Sequence, residues 1–348
     1  MKQRANYRKI IGLLFLSFCL LCSICACQNK NTNSSSKDKS LTIHYLDVGQ
    51  GNAILAESDG HFMLIDGGER EYSSFVVSYL KQQGVTSLDY MIATHYDSDH
   101  LNGVIGALHA FDTDTLFAPD YTADTRTYTS FLSIAKEKKL TKRQPKPGEE
   151  FAFGSCTFTI VCPVKQSYEE ENNYSIGIRL FCGKNSFLFL GDAETESEQD
   201  MLNAHMNVQA DVYLVSHHGS ANSSTEEFLD AVNPSYAVIS CGENSYGHPA
   251  DSALKRLNDR NITVFRTDTQ GTILAKSDGE SITFSTQKTD HTASSYEEKN
   301  GCYIGNLNTY KFHLPNCSGL PAEHNRIFFE TRKEALDAGY EPCKKCHP

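Results

Sequence analysis

The sequence predicts an α/β fold: two stacked β-sheets covered on their outer faces by helices, followed by a small metal-stapled C-terminal module. Three observations carry this reading. Strand and helix signals alternate from residue 41 to about 286. Apolar strands repeatedly end in turns rich in Asp, His and Gly, where loops gather and chemistry is expected. The tail beyond residue 300 holds one His and three Cys at tetrahedral-site spacing.

In chain order, Leu41-Thr-Ile-His-Tyr-Leu46 alternates as a strand and runs into the turn Asp47-Val-Gly-Gln-Gly51. Residues 52–57 and 61–65 read as a strand pair around Ser58-Asp59-Gly60, the second ending in Asp66-Gly67-Gly68. Phe75, Val76, Tyr79 and Leu80 carry helical spacing, closed by Gly84. A buried strand over 88–93 delivers Thr94-His-Tyr-Asp-Ser-Asp-His-Leu-Asn-Gly103, and 104–111 looks helical. Further strands are expected at 157–161, 176–181, 187–190, 212–215, 236–240, 263–266, 272–275 and 281–285. The polar run 287–300 reads as a linker, which makes 41–286 one domain and 301–348 a second.

Ahead of these lies a leader. Lys2, Arg4, Arg8 and Lys9 form a cationic start, and 10–21 is an apolar run too short to span a bilayer comfortably. Ile24-Cys25-Ala26-Cys27 resembles the lipobox of bacterial lipoproteins. On that reading 1–26 is a signal peptide, Cys27 is lipidated, and 27–40 is a disordered tether to the extracytoplasmic face of the membrane. An ordinary signal peptide or an uncleaved anchor is the alternative.

The formal charge is −11, and loss of the leader's four cations lowers it by four more. That argues against a protein that coats nucleic acid non-specifically, but not against an enzyme whose metals supply positive charge. Of twelve cysteines, Cys19, Cys22, Cys25 and Cys27 belong to the leader. Export permits disulfides, but sequence alone does not pair Cys156, Cys162, Cys182, Cys241 or Cys302.

His95, Asp97, Asp99 and His100 share one loop after a strand. Residues two apart can aim at one ion, while the adjacent Asp99-His100 pair aims at a neighbour. Two ions about 3.5–4 Å apart can clamp the attacking and leaving oxygens of a displacement. One loop cannot complete two sites, and three later strands end in further candidates. These are Gly191-Asp192, a carboxylate placed to bridge two ions, then Ser216-His217-His218-Gly219-Ser220, and Tyr246-Gly-His248-Pro249.

The order HxDxDH, GD, HHGS resembles the metallo-β-lactamase fold, an αββα sandwich with a dinuclear site at one edge. More narrowly, DVGQG (47–51), LIDGG (64–68), SHHGS (216–220) and YGHP (246–249) resemble the extracytoplasmic metallo-hydrolase domain of ComEC-type competence proteins. The resemblance implies that His95 and Asp97 hold one metal, Asp99 and His100 the other, with Asp192 bridging and His217 added to the second. It leaves Asp47, Asp66 and Asn172 in supporting roles, and His218 and His248 for proton transfer or for gripping a phosphate, beside Asp99. Two departures stand out: Asn52 replaces the usual Asp of DVGQGD, and Asn102 stands where Gly is usual.

Asp97 stands where an all-imidazole site has a second histidine, and 171–175 supplies no third one. The first site is thereby harder, suited to Mn²⁺ or Zn²⁺ with Mg²⁺ also compatible, and to phosphodiester hydrolysis more than to β-lactam opening. In the tail, His313-x3-Cys317 and Cys343-x2-Cys346 complete one tetrahedral zinc set, with a pair of disulfides using Cys302 as the rival. With Tyr303 to Asn306, Asn325-Arg326 and Arg332 to Ala335, this tail resembles the small zinc-binding module of the Ada DNA-repair protein.

The sequence therefore leads to a surface lipoprotein that hydrolyses extracellular DNA, anchored only by lipid, with DNA-uptake or surface partners. A hydrolase of a small ester, lactone or lactam is the second reading, and a non-catalytic DNA-binding lipoprotein the third.

Overall fold

A computed structural model describes residues 40–288, 303–315, 317–322, 325–329, 332–346 and 348. The leader with Cys27, the tether up to Lys39, most of the linker and Cys302 lie outside the described residues. Among the described residues, no helix is long and apolar enough to cross a membrane.

The chain opens with an antiparallel meander of β1 (Leu41–Tyr45), β2 (Ala53–Ser58) and β3 (His61–Asp66). Asp59 and Gly60 both have positive φ, as a two-residue hairpin turn requires. Helix α1 (Ser73–Gln82) leads to β4 (Ser87–Ile92), and α2 (Ser98–Ala110) leads to β5 (Asp112–Phe117); both strands add in parallel.

Helix α3 (Arg126–Glu137) then crosses to a second sheet. Here β6 (Glu150–Phe153), β7 (Cys156–Cys162), β8 (Gly177–Cys182) and β9 (Asn185–Phe189) run antiparallel. Helix α4 (Thr195–Asn203), β10 (Val212–Leu214), α5 (Glu226–Val232), β11 (Tyr236–Ile239), α6 (Asp251–Asp259) and β12 (Thr263–Arg266) continue that sheet in parallel. After α7 (Thr267–Gln270), β13 (Ile273–Ser277) and β14 (Ile282–Thr286) return to the first sheet, β13 pairing with β1.

Two seven-stranded sheets result, ordered β14-β13-β1-β2-β3-β4-β5 and β12-β11-β10-β9-β8-β7-β6. The alternation of β1 explains their stacking. Leu41, Ile43 and Tyr45 point between the sheets, where they meet Phe158, Ile178, Phe187 and Phe189. His44 points the other way, its Nδ1 2.9 Å from Tyr79 Oη on α1. Separate apolar layers lie under α1–α3 and under α4–α6, giving the αββα order expected from sequence.

Several elements differ from expectation. Strands β5 and β6 and helix α3 fall where no element was expected, and α2 begins at Ser98 rather than Val104, so it starts inside the metal motif. A disulfide joins Cys156 to Cys182 across β7 and β8, while Cys162 and Cys241 remain buried thiols, pushed by burial up to about 12.

The tail folds as β15 (Tyr303–Asn306), β16 (Lys311–His313), β17 (Arg326–Phe329), α8 (Arg332–Asp337) and β18 (Glu341–Pro342) around Phe312, Phe329, Ala335 and Tyr340. It packs on the larger domain. Leu307 joins the apolar layer beneath α1 and α2, and Gln82 Nε2 donates to Tyr340 Oη at 2.5 Å.

Candidate metal centre

Strand β4 ends at Ile92, and the chain turns through Thr94 and His95 into α2. Asp97 occupies the N-cap of α2 in extended conformation, yet its side chain makes no capping hydrogen bond. Its carboxylate is thereby left for the site instead of the helix end. Two glycine turns brace this first helical turn. Asn52 N donates to Asp99 O (3.2 Å) and Gly67 N donates to His100 O (2.8 Å). A Cβ at Gly51 would stand 2.4 Å from Asp99 O, so the DVGQG turn needs glycine for this close approach.

The histidines share one design. His95 Nδ1 lies 3.0 Å from Thr94 Oγ1, which donates to Asp66 Oδ2; His100 Nδ1 lies 2.8 Å from Asp66 Oδ2; His218 Nδ1 donates to Ser240 O at 2.8 Å. Each Nδ1 has a holder, so each Nε2 is presented to the site. Asp66 is shared by Thr94 and His100, and its other oxygen accepts Thr94 N at 2.8 Å.

Around the centre, Asp192 Oδ1 is 3.2 Å from His100 Nε2, and His218 Nε2 lies 3.2 Å from Asp99 Oδ2 and 3.4 Å from Asp192 Oδ2. His95 Nε2 is 3.7 Å from Asp97 Oδ2 and 4.0 Å from Asp192 Oδ2. Two ligand groups follow: His95, His100 and Asp192, and Asp99, His100 and His218. His95 Nε2 is buried without a hydrogen bond. Leaving such a group unpaired costs about 1–3 kcal/mol, and a cation is the partner this geometry fits.

The sequence reading added His217 to the second metal and left His218 for proton transfer or phosphate gripping; the structure brings His218 into the cluster. His218, not His217, meets Asp99 and His100. Both have left-handed backbones (φ 51° and 55°), and this turn aims successive side chains in different directions. His217 Nε2 is 3.8 Å from Asp192 Oδ2, and its Nδ1 is 3.0 Å from Glu194 Oε1. The turn is held from outside. Buried Glu198 accepts Ser224 N and Thr225 N, and Arg256 donates to Ser223 O and Ser224 O at 2.7 Å each.

Asn172 does not reach the cluster; its Nδ2 donates to Glu194 Oε1 at 3.4 Å. Glu194 was missed in the sequence, because its partners lie on the Asn172 turn and the His217 turn, far away in the chain. Asp47 pairs with Lys288 at 3.5 Å and donates its backbone N–H to Thr272 Oγ1, tying the end of β1 to the β13–β14 hairpin. His248 stands at the rim, its ring centroid 5.1 Å from that of His217, and Asn244 clamps its backbone.

Electrostatics favour positive charge at the centre. Burial opposes charging of His218, but Asp192 and Asp99 outweigh it and push its pKa to about 10. His100 is likewise raised against burial, by Asp192, Asp66 and Asp99. Burial opposes ionisation of Asp99, but His100 and His218 hold it at about 2. Burial, with His217 and His218 nearby, keeps His248 below the ordinary imidazole value.

The tail gathers His313, Cys317, Cys343 and Cys346, with ligand atoms all within 4.8 Å of one another. Backbone N–H groups of Gly319, Lys345 and Leu314 point at the three sulfurs at 3.4 Å, an arrangement suited to thiolates. Against burial, the N–H groups of Lys345 and Cys346 lower the Cys343 pKa. All three cysteines are free thiols, as the zinc reading requires and the disulfide rival does not.

Comparison with known proteins agrees with this architecture. The family described as "Metallo-beta-lactamase superfamily" matches residues 46–243, and "Metal binding domain of Ada" matches 291–348. The chain is 30% identical over 250 residues to ComE operon protein 3 of Bacillus subtilis (strain 168), covering 66% of this chain and 32% of that protein. It is 28% identical over 232 residues to Competence protein ComA of Neisseria gonorrhoeae, covering 65% and 31%. Recombination protein 2 of Haemophilus influenzae is 30% identical over 234 residues, covering 66% and 28%. The chain thus spans about a third of the length of these relatives. Fold, metal-ready cluster and sequence together place this chain in the metallo-beta-lactamase superfamily, joined to an Ada-type zinc-binding module.

Proposed function

We propose that this protein is an exported, lipid-anchored deoxyribonuclease that holds two divalent ions in its larger domain and one structural zinc in its tail. The observation that carries this reading is the carboxylate excess of the centre. Asp97, Asp99 and Asp192 face it, Glu194 stands behind His217, and no histidine arises from 171–175. Such a donor set favours hard ions such as Mn²⁺, with Zn²⁺ and Mg²⁺ also accommodated, and hard ions suit phosphoryl oxygens. The names of the relatives, which concern competence and recombination, support DNA as substrate. The Cys156–Cys182 disulfide supports an oxidising, extracytoplasmic location.

When bound, the two ions supply Lewis acidity and an activated water. The chain's own residues do the rest. His95, His100 and Asp192, with Asp97 beside His95, would hold one ion, and Asp99, His100 and His218 the other. Asp66, Thr94 and Ser240 O keep the imidazoles in the tautomer that presents Nε2. Burial, with His217 and His218 nearby, lowers the His248 pKa, which favours a neutral imidazole that offers an N–H to a phosphoryl oxygen or accepts a proton.

The test is a substrate panel under Mn²⁺, Mg²⁺ and Zn²⁺: labelled single- and double-stranded DNA, a chromogenic lactam, and short esters and lactones. Metal-dependent DNA cleavage, abolished in Asp99→Ala, is the expected result. Turnover of a lactam, ester or lactone with no DNA cleavage would move the assignment to small substrates. DNA affinity without turnover of anything would make the protein a binding lipoprotein.

A further inference from the structure

We infer that a groove between α2, α3 and the 70–73 turn is a binding track for the phosphate backbone of a nucleic-acid strand that enters the metal centre. This rests on the phosphodiesterase reading and extends it to a surface beyond the metal ligands.

The groove encloses about 410 Å³, and Arg70, Ser73, Asn102, His109, Arg126 and Thr127 line it. In a chain with 43 acidic against 32 basic residues, no carboxylate lines this groove. Its two arginines are distinctive. Arg70 and Arg126 are exposed, and neither guanidinium has a partner among the described residues. Every other described arginine is engaged, from Arg143 on Glu149 and Arg266 on Asp268 to Arg260 on Glu226 and Asp230. Arg179, Arg256, Arg326 and Arg332 donate to backbone carbonyls. Two fork-shaped cations left open in one carboxylate-free groove suit phosphate oxygens.

The groove also leads to the chemistry. Asp99, Asn102, Gly106 and His109 are spaced by three, four and three along α2, so they share one face, and Asp99 heads it. At about 1.5 Å rise per residue, His109 lies roughly 15 Å along the axis from Asp99, a span of several nucleotides. Glu69 flanks the groove without lining it. Its carboxylate accepts from Ser98 Oγ at 2.5 Å and from Asn102 Nδ2 at 3.1 Å, and also accepts the Arg70 backbone N–H at 3.0 Å. The hydroxyls of Ser73 and Thr127 add neutral polar groups between the two arginines.

The experiment measures binding of a fluorescent phosphorothioate single strand of about 20 nucleotides to the full chain over a salt series. Arg70→Ala/Arg126→Ala is expected to weaken binding at least tenfold. The slope of log affinity against log salt should fall by about 1.4, at roughly 0.7 per phosphate contact. Arg70→Lys/Arg126→Lys should recover part of the loss. Lys184→Ala/Lys255→Ala removes equal charge from lysines already paired with Glu280 and Asp259, and should leave affinity within twofold. Bound-metal content reports whether each variant is folded at the centre.

An arginine variant that keeps metal, affinity and slope would overturn the proposal, as would a wild-type protein that binds no strand. Loss of binding to anionic phospholipid vesicles, with strand affinity intact, would make the surface a membrane contact and overturn it as well. If the wild type binds the strand through these arginines but cleaves no DNA, the nuclease reading fails while the groove assignment stands.

Discussion

Each imidazole of the centre is useful only because something holds its far nitrogen, and Asp66 does most of that holding. Replacing it by Asn removes the charge beside His100 while nearly preserving shape. Asp66→Asn should lower metal affinity about 10–100-fold, as chelator competition would measure. Unchanged affinity would show that the carboxylate is dispensable. Protonation gives a second check. In the metal-free protein His218 is raised to about 10, so its pairing with Asp192 and Asp99 is fully present below the ordinary imidazole value and is lost as pH rises through about 10. Asp99, held at about 2, contributes above the ordinary carboxylate value and stops contributing as pH falls through about 2. Metal must displace the histidine protons, so binding should release about one or more protons at pH 7 and strengthen with rising pH. Weakly buffered titration reads this directly, with His218→Ala releasing fewer protons. HxDxDH, Gly-Asp and HHGS were legible because each follows an apolar strand. Which adjacent histidine turns inward was not, since a left-handed turn decides it and sequence spacing does not record φ.

At the level of elements, the glycine turns matter through what they press against. Gly67 and Gly103 meet backbone to backbone: a Cβ on Gly103 would stand 1.7 Å from Gly67 O. Gly103→Ala must push α2 away from the β3 turn and shift Asp99 and His100 with it. A loss of about 1–3 kcal/mol is expected, seen as a lower Tm, together with weaker metal binding. A variant of wild-type Tm and metal affinity would contradict this account of α2. Most strands were legible as apolar or alternating runs between turn residues. Strand β5 was not, because Asp112-Thr-Asp-Thr alternates without apolar residues and draws its order from pairing with β4. Helix α3 was equally hidden: Thr125 caps it, but its apolar positions, Tyr128, Phe131, Ile134 and Ala135, sit among polar neighbours.

Across the whole molecule, two metal-ready clusters of opposite chemistry occupy one chain. Carboxylate and imidazole gather at the end of the sandwich where the strand-end loops meet, and thiolate and imidazole gather in the tail. The tail's cluster was legible from spacing alone, since its four ligands fall in two short motifs. Its docking was not, because Gln82, Leu307 and Tyr340 carry no motif. The proposal that one sandwich holds two ions, with His218 completing the second site, is tested most directly by native mass spectrometry of the full chain loaded with Mn²⁺ and Zn²⁺. The wild type should carry three ions, and His218→Ala should lose one and keep the tail's zinc. A wild type that carries only the tail's ion, or a His218→Ala variant that still carries all three, would contradict it.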